Sequence, residues 1–227
     1  MSEFTSGAVN VPLAQVETPL LAVALAQGSA VPASLAELDR AAGGVVTRAI
    51  AGGDFKGKRD ETALLYPGSA KPERLLLVGL GKPAEVSRTA VRRAAAVAAK
   101  RARVIGVKQF AFAVAAEARN GVSARDVGQV AVEGAAQGAW AFTELKAAPE
   151  EPKPEVESVT LVSGPNEAKD VAAGRVVGNA IAAGHRLTRY LQMLPGNVCT
   201  PTYLAERAKQ LADRYGFTLT VLDRAQM

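Results

Sequence analysis

The sequence predicts an α/β fold in three layers, a mixed and mostly parallel sheet with helices on both faces, followed by a long connector helix and a helix-strand fragment of a second domain. Three observations predict it. Apolar stretches of strand length alternate along the chain with longer stretches of helical period, about six of the former and five of the latter. The run Leu75-Leu76-Leu77-Val78 shows no alternation, which suits a strand covered on both faces. The 227 residues are 48% hydrophobic and 22% charged, enough to bury one sizeable core or one core plus a short extension.

Each element follows from local pattern. Ala8 to Ala14 and Leu20 to Ala26 read as strands punctuated by Thr18-Pro19, and antiparallel pairing of these two would make the sheet mixed. Ser34, with Glu37 three residues on, reads as the N-cap of a helix whose Leu35, Leu38, Ala42, Val45, Val46 and Ala49 recur until Gly52-Gly53. Short strands are expected at Thr62 to Tyr66 and Arg74 to Leu80. Ser87 then opens a helix with Val91, Ala94, Ala95, Ala98, Ala102 and Ile105 on one face. Phe110, Phe112 and Val114 alternate as a strand. Ser123 and Asp126 form a capping box for a helix through Trp140, whose Ala131, Gly134, Ala135 and Gly138 make a smooth surface for close packing.

The stretch Lys146 to Glu157, with three prolines and four glutamates, reads as a solvated loop, and Val156 to Val162 as a strand. A helix from Pro165 to Met193 follows, with Val177, Ala180, Ile181, Gly184, Thr188 and Leu191 on one stripe. At 1.5 Å per residue it spans roughly 40 Å, a length that suits a connector. Beyond Leu194-Pro195-Gly196, Thr200 caps a last helix with Pro201 at its first position, and Phe217 to Leu222 alternates as a strand. A lone helix and strand of roughly 28 residues cannot bury their apolar faces against each other, so the second core is expected to be incomplete. The expected boundaries are 1–163 for the first domain, 164–193 for the connector and 194–227 for the start of the second.

Composition narrows the function. The longest wholly apolar runs, such as Ala94 to Ala99, fall well short of the roughly 20 residues of a spanning helix, so no membrane association is expected. The amino terminus lacks a basic and then apolar signal pattern, and a single Cys199 cannot build a disulfide framework; both point to the cytoplasm. Net charge is +5 and the pI is near 9.5. Between Glu85 and Glu117 no acid occurs, while Arg88, Arg92, Arg93, Lys100, Arg101, Arg103 and Lys108 all do. These seven form a candidate nucleic-acid-binding surface, set against the plainer reading of a solvated helix face.

Motifs for chemistry are incomplete. Gly52-Gly53-Asp54-Phe55-Lys56-Gly57-Lys58-Arg59 approaches a phosphate-binding loop, but Arg59 has no hydroxyl for magnesium and a helix leads into it. Val78-Gly79-Leu80-Gly81-Lys82 lacks the third glycine of a dinucleotide fingerprint and reads as a tight turn. One histidine, His185, and one cysteine, Cys199, exclude thiolate and imidazole metal sites of the usual kind. No catalytic residue, cofactor-binding residue or metal ligand is assigned within the chain.

Leu194-Pro195-Gly196-Asn197-Val198-Cys199-Thr200-Pro201-Thr202-Tyr203-Leu204-Ala205 resembles the N-x-P-x-N-x-x-T-P-x-x-L-A junction of the leucyl aminopeptidase (cytosol aminopeptidase) family. Further matches are Gly53 to Lys58, Leu75 to Lys82, Glu133 to Phe142 with Lys146, and Val221 to Met227, together spanning the chain in order. The connector departs from the family's Ala-Arg-Asp-Leu run, reading Thr188-Arg189-Tyr190-Leu191 and then Met193. The resemblance implies a macro-like amino-terminal domain, a helical linker, and the first helix and strand of a catalytic domain. It further implies a parent metallo-aminopeptidase that releases amino-terminal residues from peptides with two divalent metals, manganese or zinc, assembled as a hexamer. The family's metal ligands and its Asn-Thr-Asp-Ala-Glu-Gly-Arg signature lie beyond the matched segments, so this chain alone is expected to be inactive. By fold analogy, the macro-like scaffold also raises binding of a nucleotide-ribose.

Overall fold

Strands β1 (Thr5–Val9), β2 (Leu21–Leu25), β3 (Thr62–Leu65), β4 (Leu75–Gly79), β5 (Gln109–Val114) and β6 (Ser158–Val162) join in one sheet, ordered β1-β6-β5-β2-β4-β3. The computed structural model describes residues 4–28, 30–147 and 150–226. All neighbouring pairs are parallel except β3 with β4, so the sheet is mixed and mostly parallel. The expected pairing of the two opening strands does not occur. β1 covers Thr5–Val9 rather than the expected Ala8 to Ala14, and lies at the edge beside β6, with Thr5 opposite Ser158, because Leu13–Gln15 turns as a 3-10 helix and leads the chain across to the centre.

Every residue of β2 and β4 is buried, so both faces of the sheet's centre are covered and the domain has three layers. Leu21, Leu75, Leu76 and Leu77 are wholly inaccessible. Burial of each such side chain is worth about 1.5–3 kcal/mol. Leu35, Leu38, Val46 and Phe55, from the segment between β2 and β3, belong to the same core.

The helix expected from Ser34 to Ala51 is two short ones, α1 (Ala36–Ala41) and α2 (Val45–Ala51). Gly43 and Gly44 break it, both at positive φ (71° and 76°). The buried carboxylate of Asp39 then caps α2, accepting from the Val46 N–H at 2.8 Å and from the Thr47 hydroxyl at 2.5 Å.

Three long helices follow: α3 (Arg88–Ile105), α4 (Ala124–Ala139) and α5 (Ala168–Met193). α3 contacts β2, β4 and β5, and α4 contacts β6. Their packing is set by glycine. A methyl on Gly134 of α4 would lie 1.9 Å from the Arg92 carbonyl oxygen of α3, and one on Gly138 would lie 2.3 Å from that of Ala96. Toward α5, Gly128 faces the Val171 carbonyl, while Gly174 and Gly178 of α5 face those of Arg125 and Gln129. The smooth surface read from Ala131, Gly134, Ala135 and Gly138 is therefore a contact surface. On α5 the buried positions are Val171, Gly174 and Gly178 rather than the expected stripe, and Val177 is 36% exposed. Glycines signal close backbone approach, which a count of apolar side chains overlooks.

The chain divides into two compact units, Met1–Arg186 and Leu187–Met227. In the second, α6 (Pro201–Tyr215) begins as expected, with Thr200 Oγ1 accepting from the Tyr203 N–H at 3.2 Å, and stops at Gly216. Phe217 to Leu222 forms no strand. A strand needs a partner ladder, and none is offered among the described residues; Phe217, Val221 and Leu222 are all more than half exposed.

Gly134→Ala is expected to destabilise the protein by about 2 kcal/mol. Overpacking at a 1.9 Å approach costs typically about 1–3 kcal/mol or more, and outweighs the gain of up to about 1 kcal/mol in helix propensity. Denaturant titration monitored by circular dichroism checks this, and an unchanged or raised midpoint contradicts it.

Candidate functional site

The structure disperses the basic run into ion pairs. Arg88 meets Asp126 at 3.2 Å, Arg93 grips Asp60 through Nε at 2.7 Å, and Lys108 meets Glu157 at 3.3 Å. Arg92 Nε donates at 2.7 Å to Glu133, whose carboxylate is 3% exposed and also accepts from Gln129 Nε2 at 2.8 Å. Among the described residues, Lys100, Arg101 and Arg103 have no carboxylate partner. The acids come from the β2–β4 connection, from α4 and from the approach to β6, so an acid-free stretch of sequence is not an acid-free surface.

The two near-motifs resolve as turns. In residues 52–61 the N–H groups of Lys56 and Lys58 donate to Glu61 Oε2 at 3.0 and 2.9 Å, so an acid of the chain itself occupies the place of a phosphate. Gly57, at φ 74°, sits so close to β2 that a methyl there would be 2.7 Å from the Ala26 carbonyl oxygen. In the second turn, Leu80 and Gly81 donate to the carbonyls of Leu25 and Gly57, and α3 starts only at Arg88. Neither turn aims a helix N-terminus at a ligand. His185 is exposed, and Cys199 is half-buried ahead of α6. Among the described residues no three His, Cys, Asp or Glu side chains converge to hold a metal.

A cavity of about 660 Å³ opens beyond the carboxyl ends of β1, β5 and β6. Residues 10–13 after β1, 113–116 at the end of β5 and 162–167 after β6 line it, with Ser34, Glu37 and Leu38 from the start of α1. Ligands of open α/β sheets bind in such crevices. Arg119, on its wall, pairs through Nη1 with Glu167 Oε1 and donates through Nη2 to the Val114 carbonyl at 3.4 Å. Two buried polar atoms on the wall have no partner among the described residues: Arg119 Nε and Ser163 Oγ.

Ser34 is not the helix cap expected of it. Its N–H and Oγ donate to the two carboxylate oxygens of Glu117, at 2.9 and 2.6 Å, across 83 residues of sequence. This clamp ties the start of α1 to the turn after β5. Burial opposes ionisation of Glu117, but hydrogen bonds from Ser34 and from its own backbone, with the charge of Arg119, prevail and hold its pKa below the ordinary 4.5.

Residues 22–149 match the model of the amino-terminal domain of the cytosol aminopeptidase family. The chain belongs to the cytosol aminopeptidase family. It is 35% identical over 213 residues to a probable cytosol aminopeptidase of Roseiflexus castenholzii, covering 92% of this chain and 41% of that protein. The cytosol aminopeptidase of Pseudomonas aeruginosa is 33% identical over 214 residues, covering 93% of this chain and 43% of that protein. The chain thus spans about two fifths of the length of these relatives. A mutant of tomato leucine aminopeptidase superposes with a TM-score of 0.78 at 25% identity, over 99% of this chain and 45% of that one. The bottromycin maturation enzyme BotP in complex with Mn shares the fold, with a TM-score of 0.61 at 22% identity over 87% of this chain and 37% of that one. The family domain contains β2 to α4 and most of the ion-paired basic residues; the cavity draws on it and on segments to either side.

Two outcomes are expected. Arg92→Ala strands the buried Glu133 carboxylate and costs about 2 kcal/mol, less than the roughly 3–5 kcal/mol for breaking a fully buried pair because Arg92 is a third exposed; Glu133→Gln costs less, and equal midpoints for Arg92→Ala and wild type contradict this. For Glu117 the folded pKa is depressed, so its stabilisation is full above pH 4.5 and fades as pH falls through the lower folded value. Glu117→Gln therefore lowers stability at pH 7 by less than about 1 kcal/mol, since the exposed group is screened, and the gap to wild type closes in acid. A gap that widens as pH falls contradicts it.

Proposed function

We propose that this chain is the amino-terminal, non-catalytic portion of a cytoplasmic metallo-aminopeptidase that releases amino-terminal residues from peptides. One observation carries the reading: the family's amino-terminal domain is matched over residues 22–149, within alignments to aminopeptidases that run over more than nine tenths of this chain but less than half of theirs. The family resemblance supplies the finer content, namely two divalent metals, manganese or zinc, and assembly as a hexamer. Among the described residues no three His, Cys, Asp or Glu side chains converge, and in this reading the metals are held by the portion of the parent that lies outside this chain. What this portion offers instead is a rigid α/β body with an open cavity at its strand ends, suited to assembly, substrate access or regulation.

The alternative, nucleic-acid binding through Arg88, Arg92, Arg93, Lys100, Arg101, Arg103 and Lys108, draws its support from the acid-free run. Carboxylates hold four of those seven cations. Neutralised cations release fewer counterions on binding, and the peptidase reading is the better supported.

The test compares this chain with a protein extended to the family's full length, both assayed on leucine p-nitroanilide with manganese or zinc. The chain alone is expected to show no hydrolysis and the extended protein clear hydrolysis. Turnover by the chain, retained after repurification, overturns the non-catalytic assignment. An inert but folded extended protein overturns the peptidase assignment.

A further inference from the structure

We propose that residues 217–221 are a self-complementary strand segment that pairs antiparallel with the same segment of a second copy of this chain, on a two-fold axis through Leu219. Every residue from Asp213 to Gln226 is exposed. Phe217 is 67% exposed, Leu219 40% and Val221 55%. Both ends of the segment are held: the Phe217 N–H donates to the Ala212 carbonyl at 3.1 Å, and the Asp223 N–H donates to Gln226 Oε1 at 2.9 Å. Between these two anchors, no backbone N–H or C=O of residues 218–222 has a partner among the described residues. A row of free backbone groups beside exposed apolar side chains is a template for another strand.

Composition favours pairing between chains. Phenylalanine, threonine and valine are strand formers, and residues 217–222 contain no charge, proline or glycine, the pattern of segments that join across molecules. Exposed strands are ordinarily protected by a charge or a proline. Here the nearest charges are Arg214 and Asp223, outside the segment at either end.

The order of the side chains selects a second copy as the partner. Phe217-Thr218-Leu219-Thr220-Val221 has the same character in both directions about Leu219. In an antiparallel pair centred there, Leu219 faces Leu219, Thr218 faces Thr220 and Phe217 faces Val221. Threonine with threonine and aromatic with β-branched are favourable cross-strand neighbours, and no like charges meet. Alternation puts Phe217, Leu219 and Val221 on one face and both threonines on the other, so pairing gathers six large apolar side chains on one side of the ribbon. The ring of Tyr215, 5.9 Å from that of Phe217, ties the aromatic end of this face to α6. Parallel pairing is slightly less stable per residue, and a two-fold contact closes at two copies.

The inference uses only the second unit and does not depend on the peptidase reading. Within that reading, a strand from elsewhere in the parent is the competing occupant. A short ribbon is a small interface and marginal by itself, so the expected Kd is weak, on the order of 100 µM.

The test is sedimentation velocity on the 227-residue chain from about 1 µM to about 1 mM, over which a monomer is expected to pass to a dimer. Leu219→Lys sets two like charges directly opposite each other and should weaken the dimer at least about tenfold, as should Leu219→Asp. An equimolar mixture of the two variants should restore a dimer, because each lysine then faces an aspartate. Comparing the mixture with its own components removes any effect of the substitutions on folding. In a Cys199→Ser background, Leu219→Cys is expected to cross-link two chains on mild oxidation. Thr218→Cys is not, since in this register it lies opposite Thr220 and too far from its own copy for a disulfide. A chain still monomeric at about 1 mM, tenfold above the expected Kd, overturns the proposal and leaves the segment to a strand of the parent. A mixture no more dimeric than either variant, equal cross-linking at 218 and 219, or growth beyond two copies overturns it too. Because no activity is read, none of these results bears on the peptidase reading.

Discussion

Helix α4 meets both of its helical neighbours at glycines, where backbone comes up against backbone, and the rest of the first unit is arranged around that fact. Gly134 and Gly138 admit the carbonyls of α3, and Gly128 admits one from α5, which returns the contact through Gly174 and Gly178. Glycine inside a helix costs up to about 1 kcal/mol relative to alanine, so five such positions are a large local penalty. Close approach offsets it by putting dispersion contacts where a methyl would have held the helices apart. With three helices drawn together in this way, α3 lies over β2, β4 and β5 and α4 over β6. The apolar centre of the sheet is sealed.

The cavity follows from the same arrangement. In a parallel sheet all crossovers start at the carboxyl ends, and where neighbouring strands send their connections in opposite directions a crevice is left between them. Here β5 connects toward β6 while β2 connects toward β4. The turn after β5 carries Glu117 and Arg119, the turn after β6 carries Ser163 and Glu167, and the start of α1 brings Ser34 and Glu37. The polar groups there are held by clamps, Ser34 on Glu117 and Arg119 on Glu167, rather than by the core.

Much of the fold could be read from the sequence because its signals are local. Ser87, Ser123 and Thr200 cap the helices they were expected to cap, each accepting from an N–H three residues on. The non-alternating Leu75 to Val78 is indeed buried on both faces. The misreadings share a cause. Ser34 looked like a cap because Glu37 stood three residues later, yet its partner is Glu117, 83 residues away. The opening strands looked like a pair because they are adjacent in sequence, but the register of β1 is fixed by β6 at the far end of the domain. Phe217 to Leu222 had the alternation of a strand and no ladder to join. The basic run looked unopposed until Asp60, Asp126, Glu133 and Glu157 arrived from other elements. Nothing along the chain announces the cavity, since its polar groups come from separate turns and spell no motif.

Native-state hydrogen exchange on the 227-residue chain tests the central claim most directly, that α4 and its glycine contacts form one cooperative body with the sheet. The amides of α4 are predicted to exchange only through global unfolding, with the same free energy as those of β2 and β4. Exchange of α4 through a local opening of lower free energy, while β2 and β4 stay protected, would contradict the account.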